Sequence, residues 1–400
     1  MLFLDGFGQS FIFPILTQTL TSPETSLLAP GWSFSSRDIL YSYIVGVFYI
    51  SWMLGAAVLG DLSDSYGRKK VLLVCILGMT LGTVLTAVAF SINNLSLMIV
   101  GRIIVGITAG SQAIAQAAIA DISLPEHQAR NTGYILMAVT LGVILGPIYG
   151  KFFSDPLIFS WFSNQTLFIG VSIMSVLSMV ILMVFYQDKI EPNYKPVKLT
   201  RIFDIFHDAF RHENIRVLML ASFGLFGCWS IYYFYMTIYL VKYFPSNHLI
   251  VTLFMSMYGI GAAIGMAFLP GVVEKRCSLK QAVIGGWGLM ALIFIATQLS
   301  PWLLLDCILA VFAGMGIGIG FLFTMKAFSL HAPADKQGWI MGIFNATWVA
   351  ILGLTVMVTG YISAFGLAVP FFVAYALFVF GALVFIFKVT LKPAMTVVVE

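Results

Sequence analysis

Residues 60–70 read GDLSDSYGRKK, with SWMLGAAVL (51–59) ahead and VLLVCILGMTLG (71–82) behind. Five of these eleven positions are charged, in a chain of 400 residues that holds only 21 Lys and Arg and 17 Asp and Glu. The flanks are too apolar for a water-facing surface, so the stretch reads as polar punctuation between two membrane crossings. The pattern recurs from end to end. Hydrophobic residues make up 60% and charged residues 10%, and mean hydropathy is +0.98, whereas soluble domains are about 45–50% apolar and about 25% charged. A run of about 18 or more apolar residues, at about 1.5 Å per residue, crosses a ~30 Å hydrocarbon core as a helix. The ~10-residue alternating segments of a membrane barrel are absent.

Such runs place spans at about 1–20, 38–59, 71–92, 97–120, 131–150 and 165–186, then at about 216–241, 249–270, 280–299, 302–325, 338–362 and 367–387. The expected fold is an all-α integral membrane protein of twelve helices in two pseudo-symmetric six-helix bundles, 1–186 and 216–400. A polar linker, 187–215, joins them. Within it LTRIFDIFHDAFRH sets Ile202, Ile205, Phe206, Ala209 and Phe210 on one face at helical spacing, as in a helix lying along the cytoplasmic membrane surface. The glycine-rich spans 4 and 10, each followed by a proline-containing loop and a glycine-led helix, echo each other and support two repeats.

Cytoplasmic loops retain Lys and Arg. With both termini cytoplasmic, the inward segments hold Arg68, Lys69, Lys70, Arg130, Lys189, Lys195, Lys198, Arg201, Arg211, Arg216, Lys275, Arg276, Lys280, Lys326, Lys336, Lys388 and Lys392, which is 17 of the 21 basic residues. Arg37, Lys151 and Lys242 fall outside, and Arg102 lies within a span. The net charge of +4 thus describes topology, and no nucleic-acid partner is inferred. The bilayer is the partner this topology implies. Cys75, Cys228, Cys277 and Cys307 are scattered, so neither disulfide nor metal site is expected, and no cofactor. MLFLDGFGQSFIFP lacks the basic start and small-residue cleavage site of a signal peptide. An intramembrane enzyme would need a nucleophile and base or clustered ligands. His127, His207, His212, His248 and His331 all fall outside the spans.

The pattern G-x-x-x-D-x-x-G-R-K, filled by Gly60, Asp64, Gly67, Arg68 and Lys69, resembles the loop signature of the major facilitator superfamily, with Ser65 where a basic residue is usual. The residues also have a physical reading. Gly60 lets two helix backbones approach, Asp64 suits a neighbouring helix N-terminus, and the planar Arg68 fork can clamp a carboxylate. Asp121, ending span 4 at the same level, is the expected partner of Arg68. Asp64 is expected to face the start of span 11 near Gln337 and Gly338 when the cytoplasmic side is closed. Lys69 and Lys70 read as topology signals.

Arg102 with Gly106 and Gly110 is similar to a second family signature, although Val105 replaces the usual Gln. An intramembrane arginine is costly enough to suggest function. Gln112 and Gln116, further along span 4, either line a polar cavity or bond to neighbouring helices. Gly142, Gly146, Pro147 and Gly150 match G-x-x-x-G-P-x-x-G, which within the superfamily is associated with antiporters, notably drug and tetracycline exporters. Glycines four apart clear a packing groove, and Pro147 bends the helix. Asp5, followed by Pro14, resembles the first-span signature of the same exporters. A carboxylate in a span can carry a proton, since loss of water favours its neutral form and an arriving cation its charged form. Asp5 and Arg102 are the proton-coupling candidates, although the numbering keeps the two apart. The resemblance implies that Asp5 lies deeper than its distance from Met1 suggests. Trp229, Tyr232, Tyr233, Asn345 and Trp348 are candidates for a cavity taking an aromatic or cationic substrate, and Asp306 reads as interfacial. Together the resemblance implies a proton-coupled antiporter exporting small amphipathic or cationic molecules. A proton symporter importing a metabolite or siderophore is the alternative.

Overall fold

The computed structural model describes residues 1–21, 27–28, 31–123, 125–188, 200–244, 249–299, 302–332 and 337–389. Lys189, Lys195, Lys198, His248, Lys336 and Lys392 lie outside the described residues. The elements are helices: α1 (Leu2–Ser10), α2 (Ile12–Thr21), α3 (Phe34–Tyr66), α4 (Arg68–Ser91), α5 (Leu95–Thr108), α6 (Ser111–Ile122), α7 (Pro125–Ser154), α8 (Asn164–Phe185), α9 (Arg201–Arg211), α10 (Glu213–Tyr243), α11 (Ile250–Ala267), α12 (Pro270–Arg276), α13 (Leu279–Leu299), α14 (Leu303–Ser329), α15 (Gln337–Ser363) and α16 (Val369–Lys388). Among the described residues, eleven helical stretches, with α5 and α6 taken as one, are long and apolar enough to cross a membrane. Beyond these eleven, α1 and α2 follow one another as a further apolar helical stretch. It breaks at Phe11 because Pro14 offers no N–H to the carbonyl of residue 10 and its ring crowds that carbonyl.

Two boundaries differ from expectation in ways that matter. The stretch 60–66 is helix, not loop: α3 runs to Tyr66, and only Gly67 separates it from α4. The serines do not interrupt it, because their hydroxyls are satisfied within the helix: Ser63 Oγ donates to Gly60 O at 2.8 Å and Ser65 Oγ to Asp61 O at 2.9 Å. Polar residues thus carry the helix beyond the apolar layer. The linker also ends earlier, with α10 starting at Glu213.

Helix α8 exposes Ile173, Leu177, Ile181 and Phe185, one stripe at a spacing of four that suits contact with lipid. Helix α9 is amphipathic as expected, but its apolar face meets protein. Ile202 and Ala209 are buried, and α9 packs against α3, α10 and α15. Phe210, expected on that face, is exposed. Asp306, expected at the interface, is buried in the first turn of α14.

The residues before and after the linker meet chiefly through α3 against α15 and α7 against α11. One end of the molecule carries Asp38 and the other Arg68. Toward the Asp38 end α3 and α15 touch backbone to backbone, since a Cβ on Gly360 would stand 2.8 Å from Asp38 O and 2.8 Å from Ser42 Cβ. Toward the Arg68 end, a Cβ on Gly60, Gly338 or Gly342 would meet nothing within 4 Å. The halves touch closely at one end, and at the other these three glycines face open space among the described residues.

Candidate functional site

At the Arg68 end, Arg68 Nε donates to Asp121 Oδ2 at 3.2 Å, the contact expected from sequence, and both side chains are about one-fifth exposed. Arg68 Nη1 also donates to Ser63 Oγ at 2.6 Å and pairs with Asp64. The guanidinium therefore ties the end of α3 to the end of α6. Asp64 is 63% exposed and does not reach α15. Gln337 instead turns back within its own half, donating to Ser329 O at 3.0 Å and Ala332 O at 2.9 Å. The open space around Gly60 and Gly338 explains both this and why Gly60 supports no close helix approach here.

Sequence reasoning missed Asp188 and undervalued Lys69. Asp188, three residues after α8, accepts the Lys69 backbone N–H at 2.9 Å and 3.2 Å through its two oxygens. In return Lys69 Nζ donates to Met183 O at 2.8 Å. A carboxylate thus sits on the positive end of α4, and an ammonium on the negative end of α8. Gly67 is required between them: its φ is +98°, and a Cβ there would stand 2.6 Å from Asp188 Oδ2.

Deeper in the molecule, the fourth span is broken at Ala109 and Gly110 into α5 and α6. Asp5 accepts a hydrogen bond from Ser111, the first residue of α6, which places it level with the middle of that span despite its early number. A cavity of about 20 Å³, room for about one water, is lined by Asp5, Gly8, Gln9, Phe48, Val105 and Thr108 among others. Arg102 is 4% exposed and lies over the Phe48 ring, 4.2 Å from its centre. Nine positions separate it from Ser111, about 13 Å along a helix, so Arg102 and Asp5 do not pair. Its Nε has no hydrogen-bond partner among the described residues. Gly106 supports this arrangement, because a Cβ there would stand 2.6 Å from Phe48 O. Gly110 packs likewise on Ala56, with its Cβ position 2.7 Å from Ala56 Cα.

The glycines of α7 form the groove expected of them, and α1 fills it. A Cβ on Gly142 would lie 2.6 Å from Phe7 N, on Gly146 2.9 Å from Phe7 O and on Gly150 2.8 Å from Phe11 O. Ser10 Oγ donates to Gly142 O at 3.3 Å. Pro147 lies within α7. Together these fix the helix that carries Asp5.

The aromatic candidates divide. Tyr232 is fully buried among Phe254, Tyr258 and Phe294, so it packs in the core of the second half. Tyr233 and Trp348 face the other half, and Trp229 meets both of them from within its own half. Tyr233 meets Phe13 edge-on at 5.8 Å, and Trp348 meets Trp52 at 5.3 Å and Trp229 at 6.3 Å. Trp52 in turn stacks on Tyr49 at 5.9 Å. Asn345 accepts the Trp348 indole N–H at 3.1 Å. Gln112 and Gln116 are half-buried.

At the Asp38 end the halves are joined by polar contacts not foreseen from sequence. Lys242 of α10 pairs with Asp38 of α3, and Ser363 of α15 donates to the same carboxylate at 3.3 Å. One turn inward the Tyr41 and Thr237 hydroxyls are 3.0 Å apart, and Thr17 donates to Thr237 at 3.3 Å. Opposite charges at the start of span 2 and the end of span 7 were the available signal.

A family model described as Major Facilitator Superfamily matches residues 1–353. The tetracycline resistance protein, class C, of Escherichia coli is 26% identical over 349 residues, covering 86% of this chain and 83% of that protein. The class B protein of Escherichia coli is 25% identical over 356 residues, with coverage of 86% and 83%. Among solved structures, the human organic anion transporter MFSD10 superposes with a TM-score of 0.69 at 17% identity, covering 96% of each chain.

Proposed function

Because the chain belongs to the Major Facilitator Superfamily, a family of membrane transporters, we propose that it is a proton-coupled antiporter that exports small amphipathic or cationic compounds by alternating access. The observation that carries this reading is Asp5, an acid held by Ser111 at the break near the middle of the fourth span and bordering a water-sized cavity. A carboxylate so placed takes up a proton when dry and releases it when water or a cation arrives. Arg102, on the far side of Phe48, supplies a fixed positive charge that favours the ionised acid in one state of the cycle. The glycine groove of α7 holds α1, and hence Asp5, at a constant position. The tetracycline-resistance relatives support the substrate class. Tyr49, Trp52, Trp229, Tyr233 and Trp348 offer ring faces between the halves for a planar or cationic solute, with Asn345, Gln112 and Gln116 as polar neighbours.

In this reading residues 1–186 and 216–400 rock against each other, the Arg68 end faces the cytoplasm of a bacterium, and both termini lie on that side. The chain works as a monomer. Its basic residues gather at that end, including Arg211, Arg216, Lys275, Arg276, Lys280 and Lys326, as the positive-inside rule requires. The test is direction of flux in everted vesicles. Antiport predicts that tetracycline-like compounds accumulate inside when the lumen is acidified, and that a protonophore abolishes this. Solute leaving the lumen together with protons identifies the symporter alternative instead.

A further inference from the structure

We propose that Asp38, Lys242 and Ser363 form the lock that holds the far end of the pathway shut, and that opening on that side requires the Asp38–Lys242 pair to part. The proposal rests on the alternating-access reading, but its test needs no substrate. One carboxylate from α3 is gripped by two elements of the other half, the Lys242 ammonium of α10 and the Ser363 hydroxyl of α15. The Asp38 side chain is only 2% exposed, whereas that of Lys242 is 21% exposed. Beneath them the Tyr41–Thr237–Thr17 hydroxyls make a second layer across the same seam, and Ser42 packs on Gly360. At the opposite end the ion pairs shown among the described residues, Arg68 to Asp64 and Asp121 and Lys326 to Glu274, each lie within one half. The two ends are thus built differently, with ionic closure between the halves on the Asp38 side.

A buried ion pair acts as a conditional fastener. Closed and dry, each charge needs the other; open and wet, both are hydrated and neither does. Removing one partner strands the other inside the closed state and leaves the open state little changed. Because Asp38 is the more deeply buried, loss of Lys242 disturbs closure more than loss of Asp38, whose partner can turn to water. These are positioning residues that act through the seam without touching substrate.

The experiment labels a buried cysteine from outside. Cys75, Cys228, Cys277 and Cys307 are replaced by serine in the full chain, Ser42→Cys is added, and intact cells are treated with a membrane-impermeant maleimide. Labelling is expected to be slow in this background and about tenfold or more faster with Lys242→Met. Asp38→Asn and Ser363→Ala give smaller increases, and Asp38→Lys combined with Lys242→Asp returns the rate toward the background. Unchanged rates in Lys242→Met and Asp38→Asn overturn the proposal, as does an exchange variant that labels as fast as Lys242→Met. Rates are compared on protein that elutes as one species after extraction, and Ser363→Ala keeps the test usable where a charge variant fails to fold. Exposed Ser33→Cys reports sidedness separately. Its labelling in intact cells supports the orientation, and labelling only in everted vesicles overturns the orientation while the lock is read from that face by the same comparisons.

Discussion

The groove of α7 makes a quantitative prediction. On Gly146 a Cβ would stand 2.9 Å from Phe7 O and 3.0 Å from Phe11 N, where ordinary contact begins at 3.4 Å. Nearer than either is Ser10 Oγ, which can turn away only by giving up its bonds to Gly6 O and Gly142 O; the other two are backbone, so a rotamer change alone does not relieve the crowding, and α1 must move away by several tenths of an ångström. Overpacking costs about 1–3 kcal/mol, and with three atoms at 3.0 Å or closer the upper part of that range, about 2–3 kcal/mol, applies, against a gain of up to about 1 kcal/mol from replacing a helical glycine by alanine. Crowding wins. At Gly342, with nothing within 4 Å, only the gain remains. For a folded unit of roughly 200 residues, 1 kcal/mol shifts the melting temperature by about 2–4 °C. Gly146→Ala should therefore lower it by roughly 2–12 °C, while Gly342→Ala leaves it level or slightly raised. Thermal unfolding of the detergent-purified protein, followed by size-exclusion elution, measures both. Equal stability of Gly146→Ala and the parent, or equal loss in Gly342→Ala, would refute the packing argument.

The Arg68–Asp121 pair is partly exposed, so its removal should change stability by only about 0–1 kcal/mol, yet Arg68→Ala and Asp121→Asn should each reduce efflux in vesicles; exchanging the two charges should restore part of it, and no rescue speaks against the pairing. Gly67→Ala combines a left-handed backbone, about 1–2 kcal/mol for a residue with a Cβ, with a clash on Asp188, and should lower the melting temperature more than Asp188→Asn, which loses a helix-end interaction of about 0.3–1 kcal/mol. Phe48→Leu removes the ring beneath Arg102, a desolvated cation–π contact of about 2 kcal/mol; a melting temperature equal to that of the parent would show that the ring does not support the arginine.

Much of the fold was legible because membrane crossing imposes long apolar runs that survive without knowledge of contacts. The Arg68–Asp121 pair was legible for a related reason: two opposite charges at the same level of neighbouring spans have few other partners. The groove of Gly142, Gly146 and Gly150 followed from helical period alone. What stayed hidden depends on bonds that no periodicity encodes. Residues 60–66 were read as loop because they are polar, whereas Ser63 and Ser65 turn their hydroxyls back onto helix carbonyls and do not break the helix. Tyr232 could not be told from Tyr233 by composition, although one turns into its own half and the other toward the seam. Asp188, Asp38 and Lys242 act through partners more than a hundred positions away, and only the folded chain brings them together.

The account stands on Asp5 as the group through which substrate and proton movements are linked. Asparagine is nearly the same shape and keeps an oxygen for Ser111, so Asp5→Asn tests the charge and leaves the packing in place. In proteoliposomes of purified protein with an imposed proton gradient, tetracycline movement and lumenal pH are followed together. The account predicts that the parent moves drug against proton flow, while Asp5→Asn, equally stable and still binding drug, shows neither drug accumulation nor drug-dependent proton movement. Coupled exchange at the parent's rate in Asp5→Asn would contradict it.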